Sequence, residues 1–117
     1  MQYKYLKTEK GTTMSNMFSG CLSLRELDCS SFDTSKVTSM YEMFYQCSSL
    51  TSLNLNNFDT QLVYTTSKMF EKCSSLTSLN LGHFHSENII DMQNMFKDCH
   101  KLIEDRKSGS AGMPRPI

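Results

Sequence analysis

Four cysteines recur along this 117-residue chain at a constant interval of 26 residues, at Cys21, Cys47, Cys73 and Cys99. A Met-Phe pair precedes each cysteine and a leucine follows it, so the motif Met-Phe-x-x-Cys-x-x-Leu occurs four times in register. Self-similarity at a fixed period of this length is typical of repeat architectures. A unit of this size cannot bury its apolar face alone, and consecutive units are therefore expected to stack.

The apolar residues that lead up to each cysteine are spaced as on one face of a helix. In the second repeat they are Val37, Met40, Met43, Phe44 and Cys47. This spacing predicts a short helix near residues 40–46. Side chains that can accept a free helical N–H occupy one column just before each predicted helix, which supports the same boundary in four repeats. They are Thr13, Ser39, Thr65 and Asp91.

The pattern after each cysteine is that of a strand and a turn. Leu53 and Leu55 alternate with polar residues, as in a half-buried strand. The Asp-Thr pairs at 33–34 and 59–60 favour a turn, because an aspartate side chain can bond the backbone two residues on. The sequence therefore predicts a curved α/β solenoid of about four coils, with a parallel β-sheet on one side and short helices on the other.

The repeat register also predicts how the chain is divided. Residues 1–11 fit a worn strand of a preceding repeat, because Tyr3 falls in the column of Cys29. Residues 12–104 form the repeat domain, with three full 26-residue units and a partial fourth. Residues 105–117 are predicted to be a flexible tail, since the repeat pattern stops there and the string RKSGSAGMPRPI is rich in glycine, serine and proline.

Charge and hydropathy argue against several classes of partner. Twelve basic residues balance twelve acidic residues, so the chain has no electrostatic footprint for nucleic acid. It has no run of about 18 apolar residues, and its opening MQYKYLKTEKG lacks the apolar stretch of a secretory signal. We expect no direct membrane insertion, and these residues leave the compartment unknown.

The strings MSNMFSGCLSLRELDCSSFDTSKVTSM and MYEMFYQCSSLTSLNLNNFDT resemble the BspA-like leucine-rich repeat of bacterial surface proteins. The similarity spans roughly residues 12–102, and the third unit departs from it at Thr66 and at His85-Ser86. The resemblance implies a leucine-rich-repeat-like stack. It also implies a surface-exposed, secreted or lipid-anchored array that binds host proteins or other cells, and hence a cell-surface or secreted location.

No constellation for catalysis is visible in the sequence, which has no Gly-x-Ser-x-Gly motif, glycine-rich phosphate loop or paired carboxylates. The cysteines are predicted to be reduced, buried and inert, since they share the core register and Cys29 occupies a leucine column. His83, His85 and Glu87 have a spacing that suits a surface zinc ion, but two solvated histidines at a turn are the simpler interpretation. We therefore expect no enzyme activity, no cofactor and no metal.

The outward positions of the predicted strands are the candidate binding surface, because repeat proteins use such sheet faces as extended binding surfaces. They are Glu26, Asp28, Ser30, Ser52, Asn54, Asn56, Ser78 and Asn80. The leading interpretation is a non-enzymatic protein-binding module for adhesion or recognition, whose ligand is a host or cell-surface protein. The alternative is a structural spacer, or a remnant of a longer array, without a ligand of its own. End-to-end self-association is left open as well.

Overall fold

A computed structural model describes residues 12–82 and 84–102 of the chain. The predicted strand of a preceding repeat at 1–11 and the predicted tail at 105–117 lie outside the described residues. The described part has a radius of gyration of 12.8 Å, which is the size of a compact domain of this length.

The described residues form two short strands and no helix. Strand β1 is Ser52–Asn54 and strand β2 is Ser78–Asn80. They pair in parallel, with Ser52 opposite Ser78 and Asn54 opposite Asn80. The chain is therefore a small compact globule. The prediction of an α/β solenoid of about four coils, with a sheet on one side and short helices on the other, is wrong.

The segments predicted to be helices are series of tight turns. They span residues 14–20, 40–46, 66–72 and 92–98, and we call them the turn segments. Within a turn segment, every second amide bonds three residues back, as that of Met43 does to the carbonyl of Met40 at 3.2 Å. The intervening amides in the first three segments donate to the next repeat, as that of Phe44 does to Met69 at 2.9 Å. An α-helix uses these amides internally, and this alternation therefore excludes it.

Two positions in each turn segment have a left-handed backbone. In the second segment they are Glu42, with φ of 54°, and Gln46, with φ of 62°. Asn16 and Gly20 occupy the same columns in the first segment, with φ of 62° and 75°. The left-handed conformation costs a residue with a side chain about 1–2 kcal/mol. The bonds between neighbouring repeats hold these residues there and offset that cost.

The residues predicted to cap helices instead cap the turn segments. Their side-chain oxygens accept the backbone N–H two residues on, at 3.2, 3.4, 3.2 and 3.1 Å. These residues also form a row of parallel bridges from repeat to repeat. The row consists of Thr13, Ser39, Thr65 and Asp91. The capping role of these side chains was thus predicted correctly. The prediction that they begin helices was wrong, because they begin turn segments.

A ladder of phenylalanine rings runs through the core. Phe44 stacks on Phe18 with ring centroids 5.5 Å apart and on Phe70 at 5.6 Å, and Phe96 continues the ladder at 5.6 Å. Leucine, methionine and valine side chains of the repeat columns surround these rings and are also buried. The predicted inward columns therefore form the core, except at Met17, which was predicted to point inward and is 37% exposed.

All five cysteines are free thiols, and all except Cys21, which is half-buried, are buried. The thiols of Cys47, Cys73 and Cys99 each donate to the carbonyl of the phenylalanine 29 residues earlier, at 3.2, 3.1 and 2.9 Å. The cysteine column thus supplies a weak donor as well as apolar volume. Burial of the column is confirmed at three of its four positions and is only partial at Cys21.

Candidate binding surface

All eight residues predicted to form the binding surface are exposed, and we call this set the strand face. Strands β1 and β2 bring two rows of it together, one of serines and one of asparagines. The side chains between the rows point inward, with Leu53 only 3% exposed and Leu79 9% exposed. Glu26, Asp28 and Ser30 lie in the first repeat, which has no strand among its described residues. The regular part of the strand face is therefore confined to the second and third repeats.

The acidic and amide side chains of the strand face have a structural role that the sequence analysis did not assign. Asp28, Asn54 and Asn80 each accept the backbone N–H two residues on, at 2.9, 2.9 and 2.8 Å. These bonds close an Asx turn directly after the strand position in each repeat. The side-chain oxygens are thus occupied. The side-chain NH₂ groups of Asn54 and Asn80 make no hydrogen bond within the described residues and remain available as donors.

A shallow groove on the turn-segment side is a second candidate surface, which the sequence analysis missed. It has a volume of about 340 Å³ and crosses all four repeats. One of its columns carries Gln46, Lys72 and Asp98, and another begins with Leu22 and ends with His100. The side chains thus change in charge and polarity from repeat to repeat. That variation within an otherwise regular repeat is the signal that could have drawn attention to this surface.

The buried thiols of the core have raised pKa values and are therefore protonated at neutral pH. Burial raises the pKa of Cys29 and of Cys47 to about 12, and that of Cys99 to about 11. Burial also raises the pKa of Cys73 well above its ordinary value. Since the thiolate is the reactive form, these protonated thiols are poor nucleophiles and poor metal ligands at neutral pH.

The histidine pair considered for zinc lies only partly within the described residues. His83 lies outside them, and Nδ1 of His85 is 3.9 Å from Oε1 of Glu87, with both side chains exposed. Within residues 12–82 and 84–102, there is no group of three or more histidine, cysteine, aspartate or glutamate side chains that could hold a metal ion. The same residues contain no helix long and apolar enough to span a bilayer.

One buried carboxylate was not singled out from the sequence. Glu71 is only 7% exposed, and its Oε1 makes no hydrogen bond within the described residues. The equivalent positions carry Ser19, Tyr45 and Lys97, so no pattern in this column predicts a buried charge. Glu71 does not line the groove and belongs to neither candidate surface.

Comparison with known proteins identifies a family for this chain. No curated protein and no solved structure matches the chain. A family model described as "Mycoplasma protein of unknown function, DUF285" matches residues 2–108, which is most of the sequence. That description names neither a ligand nor an activity. On this match, the chain belongs to the DUF285 family.

Proposed function

We propose that this chain is a non-enzymatic protein-binding repeat module that acts in adhesion or recognition at a cell surface, with the strand face as its binding surface. The observation that carries the proposal is the register of β1 and β2, which sets Ser52 beside Ser78 and Asn54 beside Asn80 on an exposed surface. The resemblance to the BspA-like leucine-rich repeat supports the class of partner, a host or cell-surface protein.

The strand face suits a protein partner because its donors are regularly spaced and partly pre-oriented. Neighbouring parallel strands lie about 4.8 Å apart, which a polypeptide or a row of polar side chains can bridge. The Asx bonds hold the side chains of Asn54 and Asn80, so binding would immobilise fewer free rotamers. Affinity is then spread over several residues instead of one dominant contact.

A structural spacer is the competing function, and the same Asx bonds favour it. They explain why Asp28, Asn54 and Asn80 are acidic or amide residues without any ligand. The two functions differ in what they require of the side-chain NH₂ groups. A binding surface uses these donors, whereas a turn needs only the oxygen, which an aspartate also provides.

The double variant Asn54→Asp with Asn80→Asp separates the two functions. Asp28 already makes the same turn with a carboxylate, so each change keeps the turn while removing an NH₂ donor. Because the two new carboxylates lie opposite each other, circular dichroism verifies that the variant folds. The matched control is Gln61→Glu with Gln93→Glu, which makes the same two chemical changes at exposed positions outside the strand face. Both proteins would be compared with the wild type by biosensor against a panel of purified cell-surface and extracellular-matrix proteins.

We expect at least one panel protein to bind the wild type and the control with similar affinity. The strand-face variant should bind it at least about tenfold more weakly, because each unmatched acceptor left in the partner costs about 1–3 kcal/mol. Equal binding by the two variants would exclude the strand face as the binding surface. A panel without any ligand for the wild type would favour the spacer.

A further inference from the structure

The backbone bonds between turn segments all run in one direction along the chain. The amide of Met14 donates to the carbonyl of Ser39 at 2.9 Å, and the amide of Met40 donates to Thr65 at 3.0 Å. The amides of each segment thus donate hydrogen bonds to the following segment, and its carbonyls accept hydrogen bonds from the preceding one. The first and last segments must therefore differ in what they leave unpaired.

The two outer edges of the described turn segments carry opposite hydrogen-bonding groups. On the last segment, four amides have no acceptor within the described part of the chain, whereas their equivalents in the three preceding segments are all bonded. They belong to Met92, Asn94, Phe96 and Asp98. On the first segment and the residue just before it, four carbonyls have no donor within the described part, although the equivalent carbonyls of later repeats all accept one. They belong to Thr13, Ser15, Met17 and Ser19. An unpaired edge of this kind is a template for another chain.

We propose that the edge of the last turn segment binds the first turn segment of a second copy of this chain, head to tail. Four donors meet four acceptors at matching spacing, because every segment has the same turn geometry. Continuing the internal register, the amide of Met92 pairs with the carbonyl of Thr13 in the next copy, and that of Asp98 pairs with Ser19. This interaction goes beyond the proposed recognition of a cell-surface protein and uses a different surface.

A row of backbone hydrogen bonds beside the turn segments supports the same junction. The amide of Thr38 donates to the carbonyl of Thr12 at 2.8 Å, and that of Ile90 donates to Tyr64 at 2.9 Å. In this register Thr12 of the next copy donates to the carbonyl of Ile90 and lies beside its side chain. Ile90 is 84% exposed, the most exposed large apolar side chain of the described residues. The second copy therefore covers an apolar group that the chain itself leaves in water.

The junction buries limited further apolar surface, since Phe96 in the last segment is already only 5% exposed and Met17 in the first segment is 37% exposed. Association is therefore weak and depends on protein concentration. A head-to-tail contact uses different surfaces on the two partners and does not close on itself. The complexes grow with concentration instead of stopping at a dimer.

The register also places two acidic side chains against uncharged positions across the junction. Asp91 lies opposite Thr13 of the next copy, and Asp98 lies opposite Gly20. Inside one chain, position 20 neighbours Gln46, so a charge placed there meets Asp98 only across the junction. Asp98 adopts a φ of 64° where Gly20 has 75°, and a Cβ at Gly20 would meet nothing within 4 Å. Side chains are therefore accommodated at this position.

Two matched double variants test the junction. Thr13→Asp with Gly20→Asp places two carboxylates against Asp91 and Asp98 of the next copy, and Thr13→Asn with Gly20→Asn is the uncharged control. Aspartate and asparagine both keep the capping bond at position 13 and accept a left-handed backbone at position 20. Circular dichroism of dilute samples verifies that both variants fold.

Sedimentation velocity over a concentration series measures the association of the full 117-residue chain. We expect the wild type and the control to form complexes that grow steadily, with association constants within about twofold of each other. The acidic variant should associate about three- to tenfold more weakly at low salt, because like charges lie directly opposite each other. High salt should remove most of this difference. A wild type that is monomeric at every concentration, a dimer that does not grow, or equal association of both variants would overturn the proposal.

Hydrogen exchange of the wild type provides a test that needs no variant. The amides of residues 92–98 should exchange more slowly as concentration rises, since the second copy supplies their acceptors. Residues 66–72 have the same geometry and are already bonded within the chain, so their exchange should not change. Protection of both segments to the same extent, or of neither, would contradict the head-to-tail register.

Discussion

The hydroxyl of Thr60, which is fully buried, bonds both polar groups of the His85 backbone. It donates to the His85 carbonyl at 3.2 Å and accepts the His85 amide at 2.7 Å. Thr34 has the same relationship to Asp59, at 3.1 and 2.8 Å. The threonine of each Asp-Thr pair therefore does more than form a turn, because it joins one repeat to the next.

Replacing Thr60 with valine should lower the free energy of unfolding by about 1–3 kcal/mol, since the His85 amide loses its partner while the volume stays the same. Urea unfolding measures the change. Thr77→Val is the control, because the Thr77 hydroxyl donates a single exposed bond to the Thr51 carbonyl. Similar losses in the two variants would show that the two hydrogen bonds of the buried Thr60 hydroxyl stabilise the fold no more than a single exposed hydrogen bond does.

Phe44→Ala should lower the free energy of unfolding by about 3–5 kcal/mol, the usual range for truncating a fully buried aromatic side chain. The ring lies between Phe18 and Phe70, so its removal leaves a cavity with a phenyl ring on each side. Thermal and urea unfolding measure the loss. Lys36→Ala, at an exposed position, should change stability little. If the two variants melt together, the ladder is not the centre of the core.

Alkaline pH should destabilise the fold through the buried thiols. Burial raises the pKa of Cys29 from 9.0 to about 12, so the thiol ionises in the unfolded chain before it does so in the folded one. Its contribution to stability is complete below pH 9 and is lost as the pH rises toward 12. Unfolding from pH 7 upward measures this decline.

The variant Cys29→Leu isolates this contribution, because the same column carries Leu55 and Leu81 in the next two repeats. It should lose less stability with rising pH than the wild type does. All other ionisable groups are common to the two proteins, so the difference between their pH profiles reports the Cys29 thiol alone. Identical pH profiles would show that the Cys29 thiol is not buried as described.

Glu71→Gln should raise the free energy of unfolding by up to about 1 kcal/mol, because Oε1 is buried without a hydrogen-bond partner and an amide oxygen costs less to desolvate than a carboxylate oxygen. Urea unfolding at neutral pH measures the gain. Glu26→Gln, at an exposed position, should change little. A loss of stability in the Glu71 variant would mean that the carboxylate has a favourable role in the folded chain.

The core of this protein could be predicted from its sequence, but the turn segments could not. The apolar spacing through Met40, Met43 and Phe44 fits a helix face as well as it fits the observed turns, because both bury the same side chains. The distinguishing information lies in backbone amides that bond outward to the next repeat. Asn16 and Gly20, residue types that favour a left-handed backbone, hinted at the turns.

The candidate surfaces were predictable only in part, for a related reason. Alternation around Leu53 indicated which side chains point outward, and Ser52 and Asn54 are exposed as expected. The sequence could not show that the Asn54 oxygen is already bonded to the backbone of Asn56. The unpaired edges depend on the direction of the bonds between repeats, which no residue pattern specifies.

Bonding between repeats also determines how the chain must fold. The amide of Phe44 and its acceptor Met69 are far apart in sequence, and the buried threonine bonds span 25 residues each. A single repeat cannot form a stable nucleus, so loops of this length must close before the contacts stabilise anything. Folding is consequently slower than in a helical protein of similar size. Because the period is regular, repeats could also pair one repeat out of register. Irregular positions help to select the native register, and one of them is Gly82, which leaves space for Asn56.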